Sequence, residues 1–220
     1  MKSPKSLVLF GSSDLCRQVI RMLESREDLE ILGIIDPHKK EGECILGHSI
    51  LGDESLVKKY SSETHGIIAI GDPFIREKVL EKTREYATDF QWFTLIHPSV
   101  ILESHVKIGA GSLLFPGVIL QNDVSIGHHT LIGTGSILEH DTQIGDFCNI
   151  SPGCIAGGNF TMGQRSVLGL GARVNQNITI GSDTIIGSGS LVLKDVKDKV
   201  LAFGSPLTVQ RSRQPGEPWL

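Results

Sequence analysis

The sequence predicts two architectures in one chain, an α/β domain with a parallel sheet followed by a solenoid of six-residue repeats. Strand-like and helix-like segments alternate as far as Pro98, and an unbroken six-residue period of aliphatic residues follows. The composition also changes there, because 18 of the 25 glycines lie after Pro98 and charged residues fall from 29 in the first 97 positions to 17 in the last 123. We therefore expect domains over 1–98 and 99–193, and a C-terminal cap or tail over 194–220.

The composition excludes several classes of protein. The 220 residues carry a net charge of −4 and 40% hydrophobic residues, which is enough to form a core. No run of Lys and Arg suggests nucleic-acid binding, and no apolar stretch reaches the ~20 residues of a membrane span. No signal-peptide core follows Met1, so we expect a cytoplasmic protein. The four cysteines lack Cys-x-x-Cys spacing, so we expect no zinc site, no disulfide framework and no metal.

The N-terminal domain alternates short apolar runs with segments of helical periodicity. The runs read as buried strands and cover 7–10, 31–35, 67–70 and 92–96. One helix is expected after Ser12, Ser13 and Asp14, which can cap it, and another begins at Pro73, since proline is tolerated in a first turn. This alternation implies a parallel sheet, and such sheets bind ligands at the carboxyl ends of their strands.

The loop Gly11–Cys16 lies where a dinucleotide-binding fold would hold a phosphate. That fingerprint needs three glycines so that backbone N–H groups can approach the pyrophosphate, and this loop has one. Asp14 also places a negative charge at the helix N-terminus, which suits the helix dipole but repels an anion. The loop disfavours an NAD-type site and leaves open a weaker nucleotide or sugar contact, or a purely structural fold.

Every sixth residue from Leu102 to Val192 is Leu, Ile, Val or Met, with the exception of Ala156. The next residue is glycine at nine of these sixteen positions, and the residue two before is mostly small or β-branched. A period of six is typical of a solenoid in which each hexad is a short strand plus a turn, and three hexads complete a triangular coil. The aliphatic residues are expected to fill the interior, with Cys148 and Cys154 beside them.

Glu139-His140-Asp141 is the candidate catalytic group of the solenoid. Of the 92 residues from Leu102 to Leu193, nine are charged, and two of these flank His140. The hexad register places all three residues at outward or turn positions. An imidazole beside a carboxylate is what a general base requires, since the carboxylate fixes the tautomer and stabilises the imidazolium. The alternative, a surface histidine with solvated acidic neighbours, is the weaker interpretation in a wall with so few charges.

Motifs along almost the whole chain resemble those of bacterial hexapeptide-repeat sugar acyltransferases of the PglD/NeuD type. These motifs are Gly11-Ser12-Ser13, Gly33-Ile34-Ile35-Asp36, Ile68-Ala69-Ile70-Gly71-Asp72, Leu95-Ile96-His97-Pro98-Ser99, Glu139-His140-Asp141 and Gly204-Ser205-Pro206. The resemblance implies a Rossmann-like domain followed by a left-handed parallel β-helix, a homotrimer, and acetyl-CoA as acyl donor. The acceptor that it implies is an amino group or hydroxyl of a sugar, often a nucleotide-linked 4-amino sugar or a sialic-acid-like nonulosonate.

The resemblance also implies roles for individual residues. His140 matches the general base, and Asp141 matches the acidic residue that raises its basicity. Leu170 and Ser188 match positions that contact the coenzyme between neighbouring β-helices. The positions expected around the acceptor and its nucleotide are Gly11, Ser13, Asp36 and Gly71.

Three departures from the family pattern affect this site. Asp14-Leu15-Cys16 replaces the end of a loop that commonly reads Gly-Ala-x-Gly-His-Gly, which weakens the case for a nucleotide-linked acceptor. Asn149 stands where the family often has a second histidine beside the thioester, and we count it with the coenzyme-binding residues. Leu207 replaces the alanine of the closing Gly-x-Pro-Ala motif. None of these changes alters the base itself.

Two classes of function follow from the sequence. The leading hypothesis is direct acetyl transfer, with His140 as general base flanked by Glu139 and Asp141, and with a backbone N–H of Gly157-Gly158 stabilising the oxyanion. No acyl-enzyme is expected, because the cysteines are interior. The alternatives are O-acetylation of a nonulosonate and a non-catalytic sugar-binding or scaffold protein. The altered N-terminal loop favours the scaffold, whereas the intact acidic–histidine group opposes it.

Overall fold

The computed structural model describes residues 4–60 and 63–217. The chain forms two compact units, of which the first ends at Phe93 and the second begins at Thr94. No helix in the described ranges is long and apolar enough to cross a membrane.

The first unit is an α/β domain. Its strands are β1 (Lys5–Phe10), β2 (Leu29–Ile35), β3 (Cys44–Ile45), β4 (His48–Gly52), β5 (His65–Ile68) and β6 (Gln91–Trp92), and its helices are α1 (Asp14–Leu23), a 3₁₀ helix (Glu54–Lys59) and α2 (Pro73–Tyr86). The sheet order is β3-β4-β2-β1-β5-β6, with β1 parallel to both β2 and β5. The carboxyl ends of β1, β2 and β5 therefore lie at one edge, which is where the sequence predicts ligand binding.

Buried aliphatic and aromatic side chains hold this sheet together. Phe10 at the end of β1 packs against Phe90 and Trp92, with ring centroids 6.0 and 5.2 Å away. Gly66 in β5 leaves room for these rings, because a Cβ there would lie 2.6 Å from the indole of Trp92. At the start of α2 the Asp72 carboxylate caps the helix by accepting from the N–H of Phe74 at 2.9 Å.

The strand predicted over 92–96 is divided between the two units. Gln91–Trp92 pairs with β5, whereas Leu95–Ile96 pairs with Leu113–Leu114 of the solenoid. The reason is the repeat itself, since Ile96 lies six residues before Leu102 and begins the aliphatic series one hexad earlier than the sequence analysis placed it.

The second unit is a left-handed parallel β-helix with three sheets. The first sheet contains Leu95–Ile96, Leu113–Leu114, Leu131–Ile132, Asn149–Ile150, Val167–Leu168 and Ile185–Ile186. The second contains Ile101–Leu102, Ile119–Leu120, Ile137–Leu138, Ile155–Ala156, Arg173–Val174 and Leu191–Val192. The third contains Lys107–Ile108, Ser125–Ile126, Gln143–Ile144, Thr161–Met162 and Thr179–Ile180. Each strand pairs in parallel with the strand 18 residues later, which confirms three hexads per coil.

The aliphatic residues of the repeat fill the interior of the β-helix, with three exceptions at its N-terminal end. Leu102 is 43% exposed, and Ile96 and Ile108 are half-buried. All three belong to edge strands that have a neighbouring coil on one side alone. Cys148 and Cys154 are fully buried at the inward small-residue position, as the period predicts.

The C-terminal segment continues the first sheet beyond the hexads. The strand Val200–Phe203 runs parallel to Ile185–Ile186, and Thr208–Ser212 pairs antiparallel with it. The buried guanidinium of Arg213 donates to the backbone carbonyl of Asp183 at 2.9 Å, which attaches the segment to the β-helix.

Candidate active site

The backbone turn that carries His140 joins the second sheet to the third. It leaves the strand Ile137–Leu138, and Asp141 adopts the left-handed conformation with a φ of 58°. The Asp141 N–H donates to the carbonyl of Asn122 in the preceding coil at 3.1 Å, and the Asn159 N–H of the next coil donates to the carbonyl of His140 at 2.9 Å. Hydrogen bonds to both neighbouring coils therefore fix the main chain under His140.

The imidazole of His140 is paired with Asp141. Its Nδ1 lies 2.9 Å from Asp141 Oδ2. Because an ionised carboxylate only accepts hydrogen bonds, Nδ1 is the donor in this pair, and the neutral imidazole then has its lone pair on Nε2. The two side chains are 56% and 58% exposed, so Nε2 can be reached by a substrate. This arrangement suits a general base.

Gly158 lies next to the imidazole because it occupies the position of His140 one coil later. A Cβ on Gly158 would stand 2.5 Å from both Cε1 and Nε2 of His140. No side chain therefore fits there in this arrangement, and the ring lies directly against the backbone of Gly158.

The backbone N–H of Gly158 is available to a ligand. At the same repeat position in three other turns, the N–H donates to a side chain of the following coil: Ser104 to Asn122 Oδ1 at 3.1 Å, His128 to Asp146 Oδ1 at 2.6 Å, and Ser182 to Asp198 Oδ1 at 2.7 Å. Within residues 4–60 and 63–217, the Gly158 N–H has no acceptor. The imidazole of His140 thus lies against a residue whose N–H is an available hydrogen-bond donor.

Glu139 is less closely connected to the base than the sequence suggests. Its N–H donates to the carbonyl of Ala156 at 3.0 Å, and the side chain is half-buried. Its carboxylate makes no hydrogen bond or ion pair in the described part of the chain. Asp141, rather than Glu139, is therefore the residue that hydrogen-bonds to His140.

The residues expected to contact the coenzyme lie elsewhere on the same chain. Leu170 is 57% exposed in a turn between the first and second sheets, and Ser188 takes the same position one coil later. Asn149 is 6% exposed and lies in the first sheet between Leu131 and Val167. Within one chain, none of the three shares the edge of the β-helix that holds His140.

The acceptor residues predicted in the first unit converge at the carboxyl ends of β1, β2 and β5. Ser12 Oγ donates to Asp36 Oδ2 at 2.5 Å, and Ser13 Oγ donates to the carbonyl of Ala69 at 3.3 Å. Gly11 has a φ of 90°, and a Cβ there would lie 2.4 Å from the side chain of Ile70. The backbone at this edge is thus closely packed against the sheet, and the outer residues of the edge are exposed.

The expected cap of α1 differs from the one observed. Ser13 is the N-cap residue, but its hydroxyl makes no capping bond, because it donates across the sheet edge to Ala69 instead. Asp14 follows as the first helical residue, with its side chain exposed and 3.9 Å from Arg17. The negative charge that the sequence places at this helix terminus is therefore present at the surface.

Two residues support this edge through contacts that the sequence does not indicate. Ser12 ties the β1 loop to the end of β2 through Asp36. Arg76 of α2 is fully buried, and its Nη1 donates to the carbonyls of Ile70 and Gly71 at 2.9 Å each. An arginine in a helix ordinarily indicates a solvated face, so no sequence signal revealed its role.

Comparison with known proteins agrees with this architecture. Residues 6–83 match the family model described as PglD N-terminal domain. The perosamine N-acetyltransferase from Caulobacter crescentus, crystallised as a histidine-to-asparagine variant with CoA and GDP-perosamine, is 31% identical, with a TM-score of 0.85 over 94% of this chain and 97% of that one. The acetyltransferase domain of PglB from Neisseria gonorrhoeae FA1090, solved with acetyl coenzyme A, is 25% identical, with a TM-score of 0.86 over 94% and 100%.

A third solved structure, WeeI from Acinetobacter baumannii AYE, is 25% identical, with a TM-score of 0.84 over 93% of this chain and 99% of that one. The search of curated proteins gave no match. No group of three or more potential metal ligands occurs among the residues that the structure describes.

Proposed function

The chain belongs to the PglD-type sugar acetyltransferases, and we propose that it transfers the acetyl group of acetyl-CoA to the amino group of a nucleotide-linked sugar, with His140 as general base. The observation that carries this proposal is the contact of the His140 imidazole with Gly158, whose backbone N–H is available. The perosamine N-acetyltransferase binds CoA and GDP-perosamine, which favours an amine acceptor joined to a nucleotide.

The proposed reaction forms one bond and breaks another at the thioester carbonyl. His140 Nε2 removes a proton from the acceptor nitrogen as that nitrogen attacks the carbonyl carbon. The Gly158 N–H donates to the carbonyl oxygen, which becomes the oxyanion of the tetrahedral intermediate. Asp141 holds the imidazolium through Nδ1–H. Collapse of the intermediate breaks the C–S bond, and the imidazolium returns its proton to the leaving sulfur, so that CoA departs as a thiol.

We place the coenzyme along the outer face of the second sheet. This face lies between the edge that carries Leu170 and Ser188 and the edge that carries His140 and Gly158. Its outward side chains include Ile155, which is 40% exposed and can contact the apolar part of pantetheine. Asn149, on the first sheet, would meet this coenzyme from a neighbouring copy of the chain.

The same face supports the proposal of a homotrimer. Its outward residues include the isoleucine row Ile101, Ile119, Ile137 and Ile155. The corresponding row of the third sheet is polar and consists of Lys107, Ser125, Gln143, Thr161 and Thr179. An apolar wall beside a polar one is expected where copies of the chain pack together. Sedimentation should give a trimer for the wild type, a smaller species for Ile155→Asp, and a trimer for the control Thr161→Asp. A monomeric wild type contradicts the proposal.

The acceptor would bind the first unit at the edge formed by Gly11, Ser13, Asp36 and Gly71. Asp36 already accepts hydrogen bonds from Ser12 and from the backbone N–H of His38, so its carboxylate is oriented before any ligand arrives. The exposed carboxylate of Asp14 disfavours a phosphate at the start of α1. We therefore expect the sugar, rather than the pyrophosphate, to supply most of the acceptor's affinity, and isolated UDP to bind weakly.

The function is tested by measuring CoA release from acetyl-CoA with a panel of acceptors. The panel contains GDP- and UDP-linked 4-amino sugars, the matching sugars with a hydroxyl at that carbon, and nonulosonates. Turnover with an amino sugar and none with its hydroxyl counterpart supports the proposal. Turnover with a nonulosonate alone identifies an O-acetyltransferase, and no turnover with any acceptor favours a binding or scaffold protein.

A further inference from the structure

Thr142 is the buried residue directly after Asp141. Its side chain points into the β-helix at the inward small-residue position and is fully buried. Within the ranges that the structure describes, its Oγ1 has no hydrogen-bond partner. Burying a hydroxyl without a partner costs free energy, so such a group requires an explanation.

Four other inward hydroxyls of the β-helix share one pattern. Each donates to the backbone carbonyl 15 residues later: Ser112 to Gly127 at 2.7 Å, Thr130 to Gly145 at 2.9 Å, Ser136 to Ser151 at 3.0 Å, and Ser166 to Gly181 at 2.7 Å. Thr184 and Ser190, beside the C-terminal segment, bond to Lys197 and Gly204 instead. The thiols of Cys148 and Cys154 do the same at 3.0 and 3.1 Å. For Thr142 the matching acceptor is the carbonyl of Gly157.

The carbonyl of Gly157 and the N–H of Gly158 belong to one peptide unit. A hydrogen bond at the carbonyl oxygen polarises the unit and makes its N–H a stronger donor. This N–H belongs to the residue against which the His140 imidazole lies, and it has no acceptor within the described residues. A hydrogen bond from the Thr142 hydroxyl to the Gly157 carbonyl would therefore act on the active site from inside the β-helix.

We propose that Thr142 is a positioning residue whose hydroxyl donates to the Gly157 carbonyl when acetyl-CoA is bound, and so strengthens the Gly158 N–H that holds the thioester oxygen. This inference rests on the proposed acetyltransferase function. Packing alone does not call for a hydroxyl here, because the same position holds Val124 one coil earlier and Phe160 one coil later, and both are fully buried.

The first test compares Thr142→Val with Thr142→Ser in steady-state kinetics. Thr142→Val should lower kcat about five- to tenfold, less than the 10²–10³-fold loss of a whole oxyanion donor, and should leave KM for acetyl-CoA unchanged. Thr142→Ser should restore kcat. The matched control is Thr130→Val, which removes the equivalent bond to Gly145 at another edge and should leave kcat unchanged.

The second test does not depend on turnover. In the acetyl-CoA-bound protein, Thr142→Val should move the amide ¹⁵N resonance of Gly158 upfield, whereas Thr142→Ser should not. The proposal requires both the lower kcat and the shifted Gly158 resonance. A wild-type kcat for Thr142→Val, or an unchanged Gly158 resonance, overturns it. If the wild-type protein turns over no acceptor, the proposed function fails, and the Gly158 resonance alone decides whether the bond to Gly157 exists.

Discussion

The imidazole of His140 rests on the backbone of Gly158, the residue that takes the same turn position one coil later, and a Cβ at Gly158 would stand 2.5 Å from Nε2. The repeat therefore places the proposed base and the proposed oxyanion donor in neighbouring coils. Their separation is set by the parallel ladder of the second sheet, in which Ile137–Leu138 pairs with Ile155–Ala156. A rigid ladder suits a site that must hold two groups in register with one carbonyl.

Gly158→Ala tests this contact. The added methyl must displace the imidazole, so kcat should fall at least about tenfold, since misplacing a catalytic group by about 1 Å can cost 10²-fold. Gly158 is not in the left-handed region, so alanine is compatible with its backbone, and the thermal unfolding temperature should change little. A variant with a wild-type kcat and a folded structure contradicts the role of this contact.

Asp141→Asn should reduce kcat by less than removal of the histidine does, because the imidazole remains but loses its ionic partner. We expect a loss of about tenfold to 10²-fold, within the range for general-base catalysis. Glu139→Gln is the matched control, since the Glu139 carboxylate makes no hydrogen bond or ion pair within the described residues, and it should cost less. Steady-state kinetics of the two variants under identical conditions provides the comparison. A larger loss for Glu139→Gln would transfer the supporting role to Glu139.

Ser12→Ala should weaken acceptor binding without affecting the chemistry. The change removes the hydrogen bond from Ser12 Oγ to Asp36, so the carboxylate at the end of β2 loses one of the bonds that orient it. KM for the sugar acceptor should rise about three- to tenfold. This is less than the loss of the full 1.5–3 kcal/mol typical of a hydrogen bond to a charged group, because water replaces part of the lost bond. KM for acetyl-CoA should not change. A shift in acetyl-CoA KM alone would place this edge outside the acceptor site.

Two buried thiols should make the folded state sensitive to alkaline pH. Burial raises the pKa of Cys16 to about 12 and that of Cys154 to about 11, from an unfolded value of 9.0. Because both folded pKa values lie above the unfolded one, their contribution to stability is fully present below pH 9 and is lost as pH rises from 9 towards 11–12. Each thiol adds a slope of up to about 1.4 kcal/mol per pH unit.

Urea unfolding between pH 8 and pH 11 measures this effect. The double variant Cys16→Ala/Cys154→Ala should show a flatter loss of unfolding free energy with pH than the wild type. Cys44→Ala is the control, because Cys44 is exposed and should leave the slope unchanged. Equal slopes in the wild type and the double variant contradict the assignment of raised pKa values to these thiols.

The sequence was most informative where one residue type repeats under one physical constraint. The hexad period predicted the solenoid because an interior that narrow accepts a single aliphatic residue per strand, and the same period predicted the buried positions of Cys148 and Cys154. It missed the first hexad, because the short apolar run ending at Ile96 also fits a strand of the α/β domain.

The groups that support the two candidate sites were harder to predict from the sequence. Arginine is a residue type that usually lies at the surface, and the burial of Arg76 depends on carbonyls that the folded sheet edge brings together. The availability of the Gly158 N–H depends on the side chain of the next coil, which accepts such a bond at Ser104, His128 and Ser182. Both features arise from contacts between chain segments, which a linear motif does not encode.

The most direct test of the central claim is the turnover of His140→Ala with acetyl-CoA and a nucleotide-linked amino sugar that the wild type acetylates. With the base removed, kcat should fall by roughly 10²–10⁴-fold. Calorimetry should show acetyl-CoA binding largely retained, because the proposed coenzyme site consists of the backbone and apolar face of the β-helix. A His140→Ala protein that binds acetyl-CoA and keeps a near wild-type kcat would contradict the assignment of His140 as the general base.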